Sequence, residues 1–280
     1  MRILIFTDAW EPQVNGVVRT MTTTTRILRD RGHEVKVVSP NDFACWPQAF
    51  TSWADPGIKF CIAPPLLKSS SIVKSFRPDT IHVCTEGPIG WAALAYCVSK
   101  SIPFTTTYHT KFPEYLKKRF GVPTKAGYAY ERSFHNFASR TMYATDSLRD
   151  ELVQNGITRL AKWERGVDAN LFHPDRRKVH NGLPVALYFG RVSKEKNIEA
   201  FLNSEWSGHK IVVGDGPHLD ALKSKYPNVE YTGKLVGKEL AEVVASADVS
   251  VFPSKTDTYG LTMIESMACG TPVAAFNVTG

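Results

Sequence analysis

Val251-Phe-Pro-Ser-Lys-Thr-Asp257-Thr-Tyr-Gly260-Leu-Thr-Met-Ile-Glu265-Ser-Met-Ala-Cys-Gly270-Thr-Pro-Val273 is the most informative stretch of this 280-residue chain. Two carboxylates, with seven residues between them, flank Gly260 at the mouth of an apolar helix. A helix opening near Gly260 leaves the amides of Gly260, Leu261 and Thr262 without intrahelical acceptors, and such a mouth attracts anions. Asp257 precedes that mouth, and Glu265 lies about 7 Å inside it along the axis. A diphosphate held there would have one acid toward each end. That is the layout of a sugar nucleotide: hexose, two phosphates, ribose. The same residues also make an ordinary core helix, Leu261–Ala268, stopped by Gly270 and Pro272. Spacing alone leaves both readings open.

Outward from this stretch, short β-branched runs alternate with helical patterns. Val185–Phe189, Lys210–Val213, Val229–Thr232, Val249–Phe252 and Pro272–Ala275 read as strands, with helices over Pro217–Lys225, Lys238–Ser246 and Leu261–Ala268. Upstream, Arg165–Leu183 is polar, charged and punctuated by Gly and Pro, as a linker is. Before it, Arg2–Thr7, Glu34–Ser39, Thr80–Cys84, Phe104–Tyr108 and Thr141–Thr145 read as buried strands. Val17–Arg31, Ile89–Lys100, Thr124–Ala138 and Ser147–Asn155 read as helices. This is the βαβ rhythm of parallel sheets covered on both faces. The expected fold is α/β: two tandem Rossmann-like domains whose strand ends face a cleft. They span residues 1–165 on the acceptor side and 184–280 on the donor side, joined by a linker over 166–183. The chain stops just after a strand that such a domain normally covers with another helix, so a further C-terminal piece is expected.

A net charge of +7 favours anionic partners without choosing among phosphorylated ligands, nucleic acid and lipid surfaces. No basic–aromatic stripe supports nucleic acid. The five cysteines (Cys45, Cys61, Cys84, Cys97 and Cys269) show no C-x-x-C spacing and read as buried thiols of a reduced, cytoplasmic protein. The near-apolar run Pro88–Val98 is well short of the ~20 residues a membrane span needs.

The remaining candidates lie where strands end. Asn15-Gly16 follows the first strand, and Gly16 lets backbone approach a ligand closely; a plain strand–turn–helix corner reads equally well. Gly190-Arg191-Val-Ser-Lys-Glu-Lys196 offers a planar fork and a point charge that could neutralise a diphosphate, or a solvated basic loop. Gly214-Asp-Gly216-Pro217 lacks the third glycine of a dinucleotide fingerprint, which counts against a dehydrogenase. Lys234-Leu235, closing Val229–Leu235, could enclose a nucleobase. His109 sits at the tip of an apolar strand among hydroxyls, and Thr85-Glu86-Gly87-Pro88 forms a second loop at that edge. Lys117-Lys118-Arg119 reads as a solvated helix face or as a contact with an anionic membrane surface. No Asp-x-Asp occurs, so no acidic metal clamp is expected.

Together these segments resemble a family 4 glycosyltransferase of the GT-B fold, over essentially the whole chain from Asp8 to Gly270. The most specific element is the acid-x7-acid pair Asp257 and Glu265, followed by Gly190-Arg191 with Lys196 and the segment around His109. Thr85-Glu-Gly-Pro, Tyr108-His-Thr-Lys-Phe-Pro-Glu-Tyr115 and Thr256-Asp-Thr-Tyr-Gly260 are similar to bacterial GDP-mannose-dependent α-mannosyltransferases, and somewhat less to sulfolipid synthases. The resemblance implies that Arg191, Lys196, Asp257 and His109 serve the transfer. Gly16, Gly214, Lys234, Leu235, Gly260, Leu261 and Glu265 would bind the donor. Within that set, Glu265 would hold the ribose, Asp257 and the Gly260–Leu261 amides the hexose. The wider family more often has Glu where this chain has Asp257.

The implied reaction is metal-independent, cofactor-free transfer of a hexose with retained configuration, mannose from GDP-mannose foremost, to a lipid or saccharide hydroxyl. A lipid acceptor would place the protein at the inner face of the membrane. The alternatives are a UDP-sugar-dependent glycolipid synthase (sulfoquinovosyl- or glucosyltransferase), a glycosidase using Asp257 and Glu265, and a non-catalytic nucleotide-sugar-binding module.

Overall fold

Strand β1 (Arg2–Phe6) alternates its side chains between two cores: Leu4 and Phe6 enter one, Ile3 and Ile5 the other. Successive strand residues point to opposite faces, so a strand apolar at every position must be covered on both sides. β7 (Val185–Phe189) repeats the pattern, with Leu187 and Phe189 in one cluster and Ala186 and Tyr188 in the other. The computed structural model describes residues 1–13, 15–43, 65–178, 182–255 and 257–277, and divides the chain into two units, Met1–Glu164 and Arg165–Gly280.

In the first unit β1 is joined by β2 (Glu34–Val38), β3 (Thr80–Val83), β4 (Thr105–Thr107), β5 (Arg140–Tyr143) and β6 (Leu160–Lys162). They form one sheet in the order β2-β1-β3-β4-β5-β6, every pair parallel. Helices α1 (Gly16–Asp30), α2 (Pro65–Phe76), α3 (Pro88–Ser99), α4 (Phe112–Phe120), α5 (Thr124–His135) and α6 (Asp146–Gln154) connect them. In the second unit β7, β8 (His209–Val213), β9 (Glu230–Gly233), β10 (Val249–Phe252) and β11 (Val273–Ala275) pair in parallel in the order β11-β10-β7-β8-β9. Its helices are α7 (Ile198–Leu202), α8 (Leu219–Lys225), α9 (Gly237–Ser246) and α10 (Leu261–Ala268). The residues after Arg165 pack onto this unit: Phe172 is fully buried against Leu240, Val244 and Leu187.

Each sheet reverses its strand order once, between β1 and β3 in the first and between β7 and β10 in the second. Loops leaving the carboxyl ends of such neighbouring strands diverge to opposite faces and leave a crevice between them.

The structure corrects several expectations. The helix expected from Pro217 begins at Leu219, because Gly216 holds φ +154 and the His218 amide donates to Val192 O at 3.1 Å. Gly16 is the first residue of α1 rather than the residue before it, with the Asn15 side chain capping Val18 N at 3.0 Å. Strand β6 and helix α2 were not expected, whereas the helix face at Lys117–Arg119 falls in α4 and the short α7 follows the Lys196 loop. In α4, Pro113 occupies the first turn, where no amide is needed, so it starts the helix instead of breaking it. Cys84, Cys97 and Cys269 are buried, whereas Cys45 and Cys61 lie outside the described residues. Among the described residues no helix is long and apolar enough to cross a membrane.

The first crevice is tied by Asp8, just past β1. Its carboxylate accepts from Ile89 N at 2.8 Å, Gly90 N at 3.2 Å and the Thr85 hydroxyl at 2.8 Å. It thereby caps α3, whose own Gly87 N-cap has no side chain. A Cβ at Gly87 would lie 2.4 Å from Asp8 Cγ, so the close approach requires glycine. Burial raises the Asp8 pKa despite these donors. Asp8→Ala should therefore lower the stability of the first unit by about 1–2 kcal/mol, the usual value of a lost cap, in urea denaturation. Unchanged stability would contradict the capping role.

Candidate functional site

The second crevice gathers the charged residues. After β7 the chain runs through Gly190 and Arg191 to a 3-10 turn, Lys194–Lys196; after β10 it runs through Pro253 to Asp257 and the mouth of α10. Two contacts join these loops. Lys196 Nζ meets Asp257 Oδ1 at 2.5 Å, both side chains about one-quarter exposed, and Asn197 Nδ2 donates to Pro253 O at 3.0 Å. Asn197 holds φ 55, a left-handed conformation that Asn tolerates better than most residues. That turn directs Lys196 and the Asn197 amide toward the neighbouring loop.

Beside this pair lies the α10 N-terminus. Gly260 is its N-cap at φ 68, and the first hydrogen-bonded amide is Met263, which donates to Gly260 O at 2.9 Å. The Leu261 and Thr262 amides therefore stand ahead of the helix ladder. A Cβ on Gly260 would sit 2.4 Å from the Met263 methyl, so glycine serves both the dihedral and the packing. Glu265 follows one turn on, buried at 4% exposure, an unusual depth for a carboxylate. Burial, and after it the Glu265 charge, pushes up the pKa of the Cys269 thiol.

Arg191 is half-buried, and burial lowers its pKa, with the nearby Glu195 charge opposing. For Glu195, burial is outweighed by the Ser193 hydroxyl at 2.6 Å, its own amide, Arg191 and Lys196, so its pKa falls. Tyr188 donates to Arg191 O at 2.6 Å and is held strongly protonated by burial and by the Asp257 and Glu195 charges. Sequence reasoning missed Tyr188, Asn197 and Ser254, whose hydroxyl is buried on the β10 loop. Only the Asn197 position carried a signal, since Asn at the entry to a helix marks a cap or a left-handed turn.

Gly214 is placed differently from a ligand-facing glycine. It is buried, its amide donates to Gly233 O at 2.8 Å, and a Cβ would fall 1.8 Å from Gly190 O. Gly214 thus lets the loops after β7, β8 and β9 close on one another. Lys234 is exposed and Leu235 half-buried beyond β9, at the same carboxyl edge.

In the first unit, exposed Gly16 opens α1, and His109 lies half-buried two residues past β4, its ring edge-on to Trp163 at 6.2 Å. His82 bridges Thr105 and Thr107 at 2.8 and 3.0 Å and also meets Trp163 edge-on. Nearby is a buried polar cluster that sequence reasoning did not assemble. His135 Nε2 lies 3.2 Å from Glu86 Oε1 and 3.1 Å from Glu131 Oε2, with Glu131 and His135 wholly inaccessible. Burial alone would depress His135, but the two carboxylates prevail and push it up to about 9. Burial and the Glu86 charge push Glu131 up to about 7. In the basic segment, Lys117 is exposed on α4, while the side chains of Lys118 and Arg119 lie outside the described residues.

Two parallel, doubly wound units, the second with an acid-flanked helix mouth and a lysine at its switch point, have the GT-B fold. The model of Glycosyltransferase Family 4 matches residues 14–171, and that of Glycosyl transferases group 1 matches residues 183–280. The chain belongs to Glycosyltransferase Family 4 and is a glycosyltransferase. A GDP-mannose-dependent alpha-mannosyltransferase of Mycobacterium tuberculosis is 28% identical, covering 100% of this chain and 80% of the relative. The sulfoquinovosyl transferase SQD2 of Arabidopsis thaliana is also 28% identical, covering 95% of this chain and 58% of SQD2. Among solved structures, sucrose-phosphate synthase from Thermosynechococcus elongatus superposes with a TM-score of 0.76 at 20% identity, over 100% of this chain and 82% of that one. Anabaena HepE in complex with UDP gives 0.74 at 18%, with the same coverage.

The glycine closure of the second crevice is testable by contrast. Gly214→Ala introduces a backbone clash, typically worth about 1–3 kcal/mol, on top of an unfavourable φ. Gly233→Ala, at φ 74 with nothing within 4 Å of its Cβ, carries the strain alone. Urea denaturation should show the larger loss at Gly214; equal losses would contradict the packing account.

Proposed function

We propose that this glycosyltransferase moves a hexose, with retention of configuration, from a nucleoside diphosphate to a hydroxyl of a lipid or saccharide acceptor, and that GDP-mannose is its foremost donor. The observation that carries the reading is the Lys196–Asp257 pair beside the α10 mouth. A partly exposed pair contributes about 0–1 kcal/mol. A charge-assisted contact to a diphosphate contributes roughly 1.5–3 kcal/mol. An arriving diphosphate therefore outcompetes Asp257 for the lysine, and the carboxylate it releases is left free to accept hexose hydroxyls.

In this reading Lys196, Arg191 and the Gly260, Leu261 and Thr262 amides hold the diphosphate, Glu265 takes the ribose hydroxyls, and Lys234 and Leu235 flank the base. Gly214 acts indirectly, by fixing the loop that carries Arg191. Gly16 and His109 are the first unit's candidates for diphosphate and acceptor. The C1–O bond to the diphosphate breaks through an oxocarbenium-like state, and the acceptor oxygen bonds to C1. The negative charge that develops on the departing phosphate is what fixed cations and N–H dipoles stabilise. The acceptor proton passes to a diphosphate oxygen on the same face, so no enzymic nucleophile and no metal is required.

GDP-mannose is preferred because mannosyltransferases that depend on it are similar to this chain along its whole length. A second reading, a UDP-sugar-dependent glycolipid synthase, is favoured by the likeness to SQD2 and to the alpha-monoglucosyldiacylglycerol synthase of Streptococcus pneumoniae, 29% identical over 98% of this chain. A lipid acceptor suits the basic sequence Lys117-Lys118-Arg119, with Lys117 exposed and Phe120 half-exposed, and would bring the protein to an anionic membrane.

The test is turnover with GDP-mannose, UDP-glucose and UDP-sulfoquinovose against lipid and saccharide acceptors. GDP-mannose should give product. Lys196→Ala should lower kcat about 10²–10³-fold, as loss of one transition-state donor does, while the thermal midpoint barely moves. Undiminished turnover in that variant would overturn the assignment.

A further inference from the structure

We propose that Glu86, Glu131 and His135 form a binding site for one divalent transition cation, of the zinc or manganese kind, inside the first unit. The inference is independent of the proposed donor chemistry, and it departs from the sequence reading, which names no metal ligand. Thr141 Oγ1 donates to His135 O at 3.3 Å, so it accepts from Thr106 Oγ1 at 3.0 Å. The Thr106 oxygen in turn accepts from His135 Nδ1 at 2.9 Å. This chain places a proton on Nδ1 and leaves Nε2 facing the two carboxylates, 3.1 and 3.2 Å away. A lone pair cannot face two carboxylates at that range without a positive species between them.

A proton on Nε2 would be the simplest such species and agrees with the raised His135 pKa, but among the described residues Nε2 has no aligned hydrogen bond to either carboxylate. Both Glu131 oxygens are buried with no hydrogen-bond donor among the described residues, and there no lysine or arginine pairs with Glu86 or Glu131. A second observation points the same way. The Tyr108 hydroxyl is buried without a hydrogen-bond partner among the described residues; its ring centroid is 5.7 Å from that of His135, and the Glu131 and Glu86 charges act on it.

The geometry suits a cation. The three donor atoms lie within 4.8 Å of one another, and the two short separations are close to the ~3.0–3.4 Å between adjacent ligands around a centre with bonds of about 2.0–2.2 Å. Glu131 and His135 share one face of α5 at i, i+4, and Glu86 comes from the loop after β3. Thr106 supplies the orienting contact on the other ring nitrogen that metal-bound histidines characteristically have. Mixed imidazole and carboxylate donors suit zinc or manganese better than calcium or magnesium. The bound ion would clamp the end of α5 to the β3 loop.

The test uses the full chain, stripped with EDTA, incubated with Zn2+ or Co2+ and desalted, with bound metal measured by plasma mass spectrometry. Wild type should retain about one equivalent, show Co2+ d–d absorption, and gain thermal stability from Zn2+. Glu131→Gln and Glu86→Gln should each abolish stoichiometric retention. Thr106→Val should keep the ligands but weaken binding roughly 10–100-fold. His135→Gln is informative only if it folds, so the glutamine variants carry the decision. Wild type without stoichiometric metal, or Glu131→Gln with undiminished metal, overturns the proposal and leaves a proton-sharing cluster as the account of these residues.

Discussion

Parallel pairing of β7 with β8 on one side and β10 on the other governs the second unit. The chain must leave β7 toward one face and β10 toward the other, so their loops part and expose the ends of two adjacent strands. Everything that bears on the candidate chemistry follows from that parting. The β7 loop delivers Arg191 and Lys196, the β10 loop delivers Asp257 and the α10 mouth, and the Lys196–Asp257 contact spans the gap between them. Gly214, whose Cβ would fall on Gly190 O, lets the neighbouring loops approach closely enough to support that arrangement.

Asp257 gives a lysine a partner of modest strength at the place where a stronger anion is expected. A more deeply buried partner would hold Lys196 too firmly, and no partner at all would leave its long side chain disordered among many rotamers. A pair one-quarter exposed lies between these limits. Glu265 is different: it is buried in the second turn of α10, so its place is set by packing as much as by charge.

What could be read in the chain was set by local signals. The strands β1, β2, β3, β5, β7, β8 and β10 announce themselves as β-branched apolar runs, and α10 announces itself by Gly260 before it and Gly270 after it. The acids, the lysine and the arginine were each visible at strand ends. Their pairing was not, because Lys196 and Asp257 meet across 61 residues, and nothing in either loop names the other. Asp8 capping α3 is hidden for the same reason, its contact to Ile89 spanning 81 residues. In the polar core of the first unit, only the i, i+4 relation of Glu131 and His135 could have been noticed, and Glu86 comes to it from another loop. Gly214 was legible as a special glycine but not as a packing one, since tight loop closure and ligand approach demand the same absent Cβ. The Lys117–Arg119 run read as a helix face, but nothing marked the start of α4, since a proline in the first helical turn looks, from sequence, like a break.

The central claim is that the α10 mouth and Lys196 receive a diphosphate, and a crystal structure of the chain with GDP tests it most directly. The account predicts phosphate oxygens within about 3.2 Å of the Leu261 or Thr262 amide and of Lys196 Nζ, with Lys196 drawn off Asp257. GDP bound elsewhere, with the Lys196–Asp257 pair intact and the helix mouth unoccupied, would contradict it.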